Sequence, residues 1–146
     1  MIRKYQSSNF SVLREIFILN TPAFFDKQEQ PLFEGYFKKP ELVYFTVITE
    51  DGEIIGGGGI GFDLEKIEAH LLWDLIHPKY QKQGFGKDLV QHCIAHIKDN
   101  TTYKMIKANA TIKNYKFYQK MGFKLLKKTK DHYGPGVDMY AMVMAL

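Results

Sequence analysis

Two rhythms of apolar residues alternate along the chain. Phe10, Leu13 and Phe17, with Val12, Ile16 and Leu19 beside them, recur at helical spacing as far as Asn20. Ser7-Ser8-Asn9 offers N-cap side chains ahead of that run, so a first helix is predicted. Thr21-Pro22 breaks it, because proline cannot continue the amide ladder. Phe24, Phe25, Leu32, Phe33, Tyr36 and Phe37 then predict a second, aromatic-rich helical stretch that ends before Lys38-Lys39-Pro40.

The rhythm changes at Leu42. Leu42–Thr49 is rich in β-branched and aromatic residues and reads as a strand, and Glu50-Asp51-Gly52-Glu53 reads as a hairpin turn with an Asp-Gly pair. Ile54-Ile55 begins the partner strand and runs into Gly56–Gly61. Ala69–Ile76 is another strand, stopped by His77-Pro78. Helical spacing returns with Leu89, Cys93, Ile94 and Ile97, a loop follows at Asp99-Asn100-Thr101-Thr102, and Met105–Ala110 reads as a strand. Asn114–Met121 forms a short helix with Gly122 at its C′ position. Phe123–Lys127 and Val137–Met144 are the last two strands, joined by the polar loop Lys128–Gly136.

At 146 residues this is one domain, 1–146, long enough to bury a core, and 45% hydrophobic with 14% aromatic residues marks a globular chain. No apolar run approaches the roughly 20 residues of a membrane span, and Met1–Tyr5 has no apolar signal core behind its charges. A cytoplasmic protein without a membrane partner is therefore expected. Cys93 is the single cysteine, so an intramolecular disulfide and a cysteine-based metal cluster are excluded; on the apolar face of its helix it reads as a structural thiol. The net charge of +4 hides an asymmetry: residues 1–78 carry 7 Lys/Arg against 12 Asp/Glu, whereas residues 79–146 carry 13 against 4. An anionic ligand is expected in the second part, although this balance alone does not separate a nucleotide from a nucleic acid.

The stretch Gln81-Lys82-Gln83-Gly84-Phe85-Gly86-Lys87 lies between a strand and an amphipathic helix. A helix that starts among glycines points unpaired N–H groups and the positive end of its dipole into the space before it, and phosphate oxygens fit there. Gly84 and Gly86 allow close approach and positive φ, while Lys79, Lys82 and Lys87 add charge. A Walker loop is excluded, because Asp88 follows Lys87 where Ser or Thr is needed. Gly56–Gly61 contains a literal G-x-G-x-x-G, yet it lacks the acidic residue expected about 20 positions on, and its strand belongs to a hairpin. Glycine within a strand marks a bulge or a close backbone approach, and here a glycine-rich strand beside an acceptor is expected.

Strand, Gln-x-x-Gly-x-Gly and helix, followed by Asn-x-x-x-Tyr-x-x-x-Gly-Phe from Asn114 to Phe123, resembles the GNAT acyltransferases, and the likeness in element order extends from Ser8 to Leu146. The resemblance implies an α/β fold with a mixed, mostly antiparallel sheet, helices on both faces and a central splay between the strand before Pro78 and the strand at Met105–Ala110. It implies acetyl-CoA as co-substrate and no metal. Pantetheine would pair with the backbone of Trp73, Asp74, Leu75 and Ile76, and pyrophosphate would lie on Gln81, Lys82, Gln83, Gly84, Phe85, Gly86 and Lys87, with Asn114 and Tyr118 completing the cofactor site. Many members carry Arg or Lys where Gln83 stands, so charge must come from Lys82 and Lys87, and weaker CoA affinity follows.

The same resemblance makes Tyr118 the general acid for the departing thiolate. An amine acceptor is mostly protonated at neutral pH, because its pKa is about 10, and must lose a proton before attack. Glu68 and His70 share strand parity and are the candidate base, with Asp74 a further option if a bulge re-aims it and a water-mediated base also open. An N–H from Leu75 or Ile76 is the candidate oxyanion donor. The expected activity is acetyl transfer from acetyl-CoA to a primary amine of a small molecule or peptide, by direct attack in a ternary complex. The competing readings are a basic nucleic-acid- or ribosome-associated module using the lysines between Lys98 and Lys130, and an acyl-CoA sensor without turnover. With only Arg3 and Arg14 as arginines, nucleic acid is the disfavoured partner. Self-association as a homodimer is left open.

Overall fold

The computed structural model describes every residue except Thr101 of the predicted 99–102 loop, which lies outside the described residues. In chain order the elements are β1 (Ile2–Lys4), α1 (Phe10–Leu19), α2 (Gln30–Tyr36), β2 (Tyr44–Ile48), β3 (Ile54–Asp63), β4 (Glu68–Ile76), α3 (Phe85–Lys98), β5 (Met105–Ala110), α4 (Tyr115–Lys120), β6 (Lys124–Thr129) and β7 (Met139–Ala145). The strands hydrogen-bond in the order β1-β2-β3-β4-β5-β7-β6. Strands β4 and β5 are parallel, and the registered pairs β1–β2, β2–β3, β5–β7 and β6–β7 are antiparallel. The chain falls into two compact units: Met1–Ile60 with Leu72–Cys93, and Gly61–Leu71 with Ile94–Leu146.

In the first unit, the core is aromatic. Phe17 stacks on Phe25 at 4.7 Å and on Phe33 at 4.6 Å, and Trp73 meets Phe33 edge-on at 5.6 Å. Leu13, Ile16, Phe17, Phe33, Tyr36, Tyr44 and Leu75 are buried in this cluster. Each fully buried side chain of this size contributes roughly 1.5–3 kcal/mol. The glycines of β3 let the helices α2 and α3 and the neighbouring strands approach its backbone closely. A Cβ at Gly59 would meet the Tyr36 hydroxyl of α2 at 2.7 Å, and one at Gly57 would meet the Phe45 carbonyl at 2.8 Å. On the opposite side, a Cβ at Gly58 would overlap the Asp74 carboxylate and meet Leu89 of α3 at 3.1 Å, and one at Gly56 would overlap the Leu75 carbonyl. Alternate glycines therefore serve opposite faces, as strand geometry requires.

In the second unit, β5 pairs with β4 from Glu68↔Met105 to Leu71↔Ala108 and with β7 from Met105↔Ala145 to Ala110↔Tyr140. Ile106, Ala108, Ala110, Tyr140 and Met142 are buried, as are Tyr118 and Phe123. Helix α4 packs on β5, β6 and β7. Gly122, at φ +103°, ends it in the left-handed conformation, and the Phe123 N–H closes on the Tyr118 carbonyl at 3.0 Å. The 130–137 loop is tied by Asp131 Oδ1, which accepts from the Gly136 N–H at 2.7 Å, and by Asp138 Oδ1, which accepts from the Asp131 N–H at 2.9 Å.

Three expectations are corrected, and one strand is added. Ser7–Asn9 forms a 3-10 turn, and the Asn9 side chain accepts from the Gln6 N–H at 2.8 Å and does not cap α1. Phe24 and Phe25 precede the second helix, because Asp26 caps a 3-10 turn at Lys27–Glu29 and only Gln30–Tyr36 is α-helical. Strand β2 starts at Tyr44, not Leu42. The amino terminus forms β1 on the edge of β2, which its brief charged sequence did not announce. Replacing Gly56 by Ala is expected to cost about 2 kcal/mol or more, because backbone must move. Gly35→Ala, in a helix with open space around it, is expected to be neutral or stabilising by up to about 1 kcal/mol. Urea unfolding of both variants checks this contrast.

Candidate functional site

The turn between β4 and α3 is built by short-range contacts. The His77 imidazole Nδ1 accepts from the Lys79 N–H at 3.0 Å and caps a 3-10 turn at Pro78–Tyr80, where proline needs no donor. The Tyr80 hydroxyl donates to Glu53 Oε2 at 2.7 Å, tethering the turn to the β2–β3 hairpin. The chain then takes left-handed conformations at Lys82, φ +61°, and Gly84, φ +92°, before α3 begins at Phe85. The helix thus starts two residues earlier than a start after Gly86 would place it, and Gly86 lies inside its first turn. Its first bond runs from the Asp88 N–H to the Gly84 carbonyl at 3.1 Å, so the N–H groups before Asp88 have no intrahelical acceptor. Lys82, Gln83, Gly84 and Lys87 are exposed there. The Gln83 side chain donates back to the Lys79 carbonyl at 3.1 Å.

The end of β4 is fixed by amides. Asn20, 2% exposed at the end of α1, donates from Nδ2 to the carbonyls of Ile16 at 2.9 Å and Ile76 at 3.1 Å. Its Oδ1 accepts from Gln81 Nε2 at 2.8 Å, and the same Gln81 nitrogen donates to the Ile76 carbonyl at 2.9 Å. The Ile76 carbonyl therefore has two donors, its full acceptor capacity. The His77 N–H donates to the Ile55 carbonyl across the strand pair at 2.7 Å. Ladder alternation then turns the backbone groups of Leu75 toward β3 and those of Asp74 and Ile76 toward the other edge. Of the two candidate oxyanion donors, the Ile76 N–H lies on that outer edge.

Trp73 adopts φ +55° inside β4, and the Tyr44 hydroxyl donates to its carbonyl at 2.9 Å. Leu72 and Trp73, consecutive residues, both pack on the aromatic cluster, which is the signature of a bulge. Asp74 Oδ1 fills the space that a Cβ at Gly58 would need, a space that Leu89 also borders. Burial pushes the Tyr36 hydroxyl up to about 12, helped by Cys93 and Asp74 nearby, and it pushes Tyr44 and the Cys93 thiol up as well. Cys93 is thus held protonated and fits the structural reading.

In the second unit, Glu68 and His70 are brought together, with His70 Nε2 3.5 Å from Glu68 Oε2. Lys107, which faces His70 in the β4–β5 register, places Nζ 3.3 Å from the same oxygen. Glu68 is 13% exposed at its side chain and His70 32%. Asn114 Oδ1 accepts from the Thr111 N–H at 2.8 Å, so this amide closes the loop ahead of α4. Tyr118 is 6% exposed, with Phe117 and Phe123 edge-on at 5.2 and 5.6 Å. Lys107 and Asn20 were not singled out by sequence reasoning; a lysine two residues from the strand start and an asparagine ending a helix carry no spacing signal. Among the described residues no group of three His, Cys, Asp or Glu side chains could hold a metal ion. Among the same residues, no helix is long and apolar enough to cross a membrane.

The acetyltransferase (GNAT) family model matches residues 10–123, and the chain belongs to that family. Its fold superposes on a Desulfovibrio desulfuricans protein assigned to the same family, at TM-score 0.81 and 19% identity over 99% of this chain and 98% of that one. The ribosomal-protein-S18-alanine N-acetyltransferase of Escherichia coli gives TM-score 0.79 and 18% identity over 99% and 92%. Spermidine N-acetyltransferase from Vibrio cholerae, solved with CoA and spermine, gives 0.79 and 14% over 99% and 94%. No curated protein matches the sequence.

Tyr36, Tyr44 and Cys93 all keep their protons longer in the folded chain than in the unfolded one. Below the ordinary thiol value of 9.0 and phenol value of 10.0 this has no effect on stability. Above them the unfolded chain loses protons that the folded chain retains, so stability falls as pH rises toward about 12. Urea midpoints measured from pH 7 to 11 are expected to be level at first and to fall progressively above about pH 9. A level profile to pH 11 would contradict the burial of these three groups.

Proposed function

We propose that the protein is an N-acetyltransferase that moves the acetyl group of acetyl-CoA to a primary amine of a small molecule or peptide, by direct attack in a ternary complex. The observation that carries this reading is the β4–α3 turn. Left-handed Lys82 and Gly84, helical Gly86 and the unpaired N–H groups of the first turn of α3 form a backbone cradle for an anion, with Lys82 and Lys87 exposed beside it. A pyrophosphate fits such a cradle because glycine leaves the main chain open to contact. The outer edge of β4, at Asp74 and the Ile76 N–H, offers the backbone groups that an extended diamide such as pantetheine requires.

Acetyl-CoA, when bound, supplies a thioester carbonyl carbon open to nucleophiles. The Ile76 N–H is assigned to the oxygen of that carbonyl, where an aimed donor lowers the barrier as charge develops. The acceptor ammonium gives up its proton to His70. With Nε2 turned toward Glu68, Nδ1 takes the proton, and the Glu68 carboxylate stabilises the imidazolium that results. Lys107 holds Glu68 in place through their ion pair. Tyr118 donates its hydroxyl proton to the departing thiolate. Its burial among Phe117 and Phe123 supports this role by fixing the ring. Asn114 orders the loop that leads into α4. The neighbours named for spermidine and for ribosomal-protein-S18-alanine make a polyamine and a peptide amine the first acceptors to assay.

Two variants test these assignments. Gly86→Val keeps a backbone conformation that valine tolerates, so the apo melting temperature is expected to change little while acetyl-CoA affinity falls at least about tenfold by calorimetry. Gly84→Val is a poorer probe, because φ +92° strains the fold itself. Normal binding by Gly86→Val would remove the pyrophosphate from this turn. Tyr118→Phe keeps the ring packing and is expected to leave acetyl-CoA affinity intact while turnover drops about 10²- to 10⁴-fold. Unchanged turnover at saturating acetyl-CoA would reassign the proton donor to water or Tyr133.

A further inference from the structure

The amide cluster at the end of β4 points to a role for two residues that the function above does not use. Gln81 opens the turn, yet its side chain bonds within the protein. Nε2 donates to Asn20 Oδ1 at 2.8 Å and to the Ile76 carbonyl at 2.9 Å. Asn20 in turn donates to the same Ile76 carbonyl at 3.1 Å and to Ile16 at 2.9 Å, and it is 2% exposed. Its own carbonyl accepts from the N–H groups of Phe24 and Phe25 at 2.8 and 3.2 Å. One buried asparagine thus joins the end of α1, the start of the aromatic segment, the last residue of β4 and the first residue of the turn.

Two of these anchor points, β4 and the turn, are the ones assigned above to the pantetheine and the pyrophosphate. A ligand that binds both is held best when their spacing is preset, because ordering costs are then not charged against binding. Between Ile76 and Gln81 the spacing is set by the His77 N–H bond to the Ile55 carbonyl, the His77 cap, the Tyr80–Glu53 bond and the amide cluster. Of these, only the cluster joins Gln81 directly to the end of β4. We propose that Asn20 and Gln81 are positioning residues for acetyl-CoA, fixing the turn against β4 without touching the ligand. This rests on the reading of the turn and β4 as the acyl-CoA site.

The test compares CoA with acetyl-pantetheine, which lacks the phosphates. Gln81→Met removes both donated bonds with little change in shape and no change in charge. It is expected to weaken CoA binding about tenfold, because the freed turn must then be ordered on binding, and to leave acetyl-pantetheine affinity within about twofold. General loosening of the fold would weaken both ligands alike and would overturn the positioning role. So would an unaltered CoA affinity. In a cycle with Asn20→Ala, the double variant is expected to lose less than the product of the two single losses, because the residues act through one cluster; strictly multiplicative losses would contradict it. Should Gln81→Met fail to fold, Gln81→Asn keeps the amide one methylene short of its two acceptors and is expected to show the same split between ligands. If the parent protein binds neither CoA nor acetyl-pantetheine, the acyl-CoA site itself fails, and the inference falls with it.

Discussion

Close packing against the glycines of β3, from the neighbouring strands as well as from α2 and α3, constrains the first unit. At Gly57 and Gly59 the space of a side chain is taken by Tyr44 and Tyr36; at Gly56 and Gly58 it is taken by the backbone of Leu75 and the carboxylate of Asp74. Tyr44 can then send its hydroxyl to the Trp73 carbonyl, at the point where β4 turns through a left-handed residue. The bulge sends Asp74 into the space at Gly58 and places the outer edge of β4 at Asp74 and Ile76. Four missing Cβ atoms therefore shape the strand on which the candidate chemistry depends. The same tight packing removes water from Tyr36, Tyr44 and Cys93, which is why all three hold their protons so strongly.

The turn and α3 add a feature of a different kind. Hydrophobic burial holds α3 in place through Leu89, Val90 and Cys93, but the start of the helix is defined by polar contacts and backbone conformation. The His77 cap, the Tyr80–Glu53 bond and the Gln81–Asn20 cluster hold the chain while Lys82 and Gly84 turn it. The result leaves N–H groups directed outward with no acceptor in the helix. Such groups favour an anionic partner, and the positive balance of residues 79–146 works in the same direction.

Much of this could be read from the chain. Helix α3 follows from Leu89, Cys93, Ile94 and Ile97, all of which are buried, and β5 occupies Met105–Ala110 as its pattern indicates. Gly122 ends α4 where a left-handed residue was needed. The glycine-rich strand was recognised as a strand, although its reason, close approach from two sides, depends on tertiary contacts. Other features left no mark in the sequence. Positive φ at Trp73 is imposed by packing on a residue type that does not favour it. Strand β1 is three residues long and gains its ladder only from β2. The pairing of Lys107 with Glu68 depends on a parallel register between strands far apart in the chain. Asn20 looked like a helix end and is a buried junction.

Catalysis by this protein is measured most directly by the release of CoA thiol in the presence of amines. Purified protein with acetyl-CoA is assayed against polyamines, aminoglycosides, amino acids and peptide amino termini, with mass spectrometry of each amine. Thiol release is expected to depend on one class of amine and to match, mole for mole, an acetylated product. Tight acetyl-CoA binding without amine-dependent release from any member would contradict catalysis and make the protein an acyl-CoA sensor; binding of RNA with no affinity for acetyl-CoA would make it a nucleic-acid module.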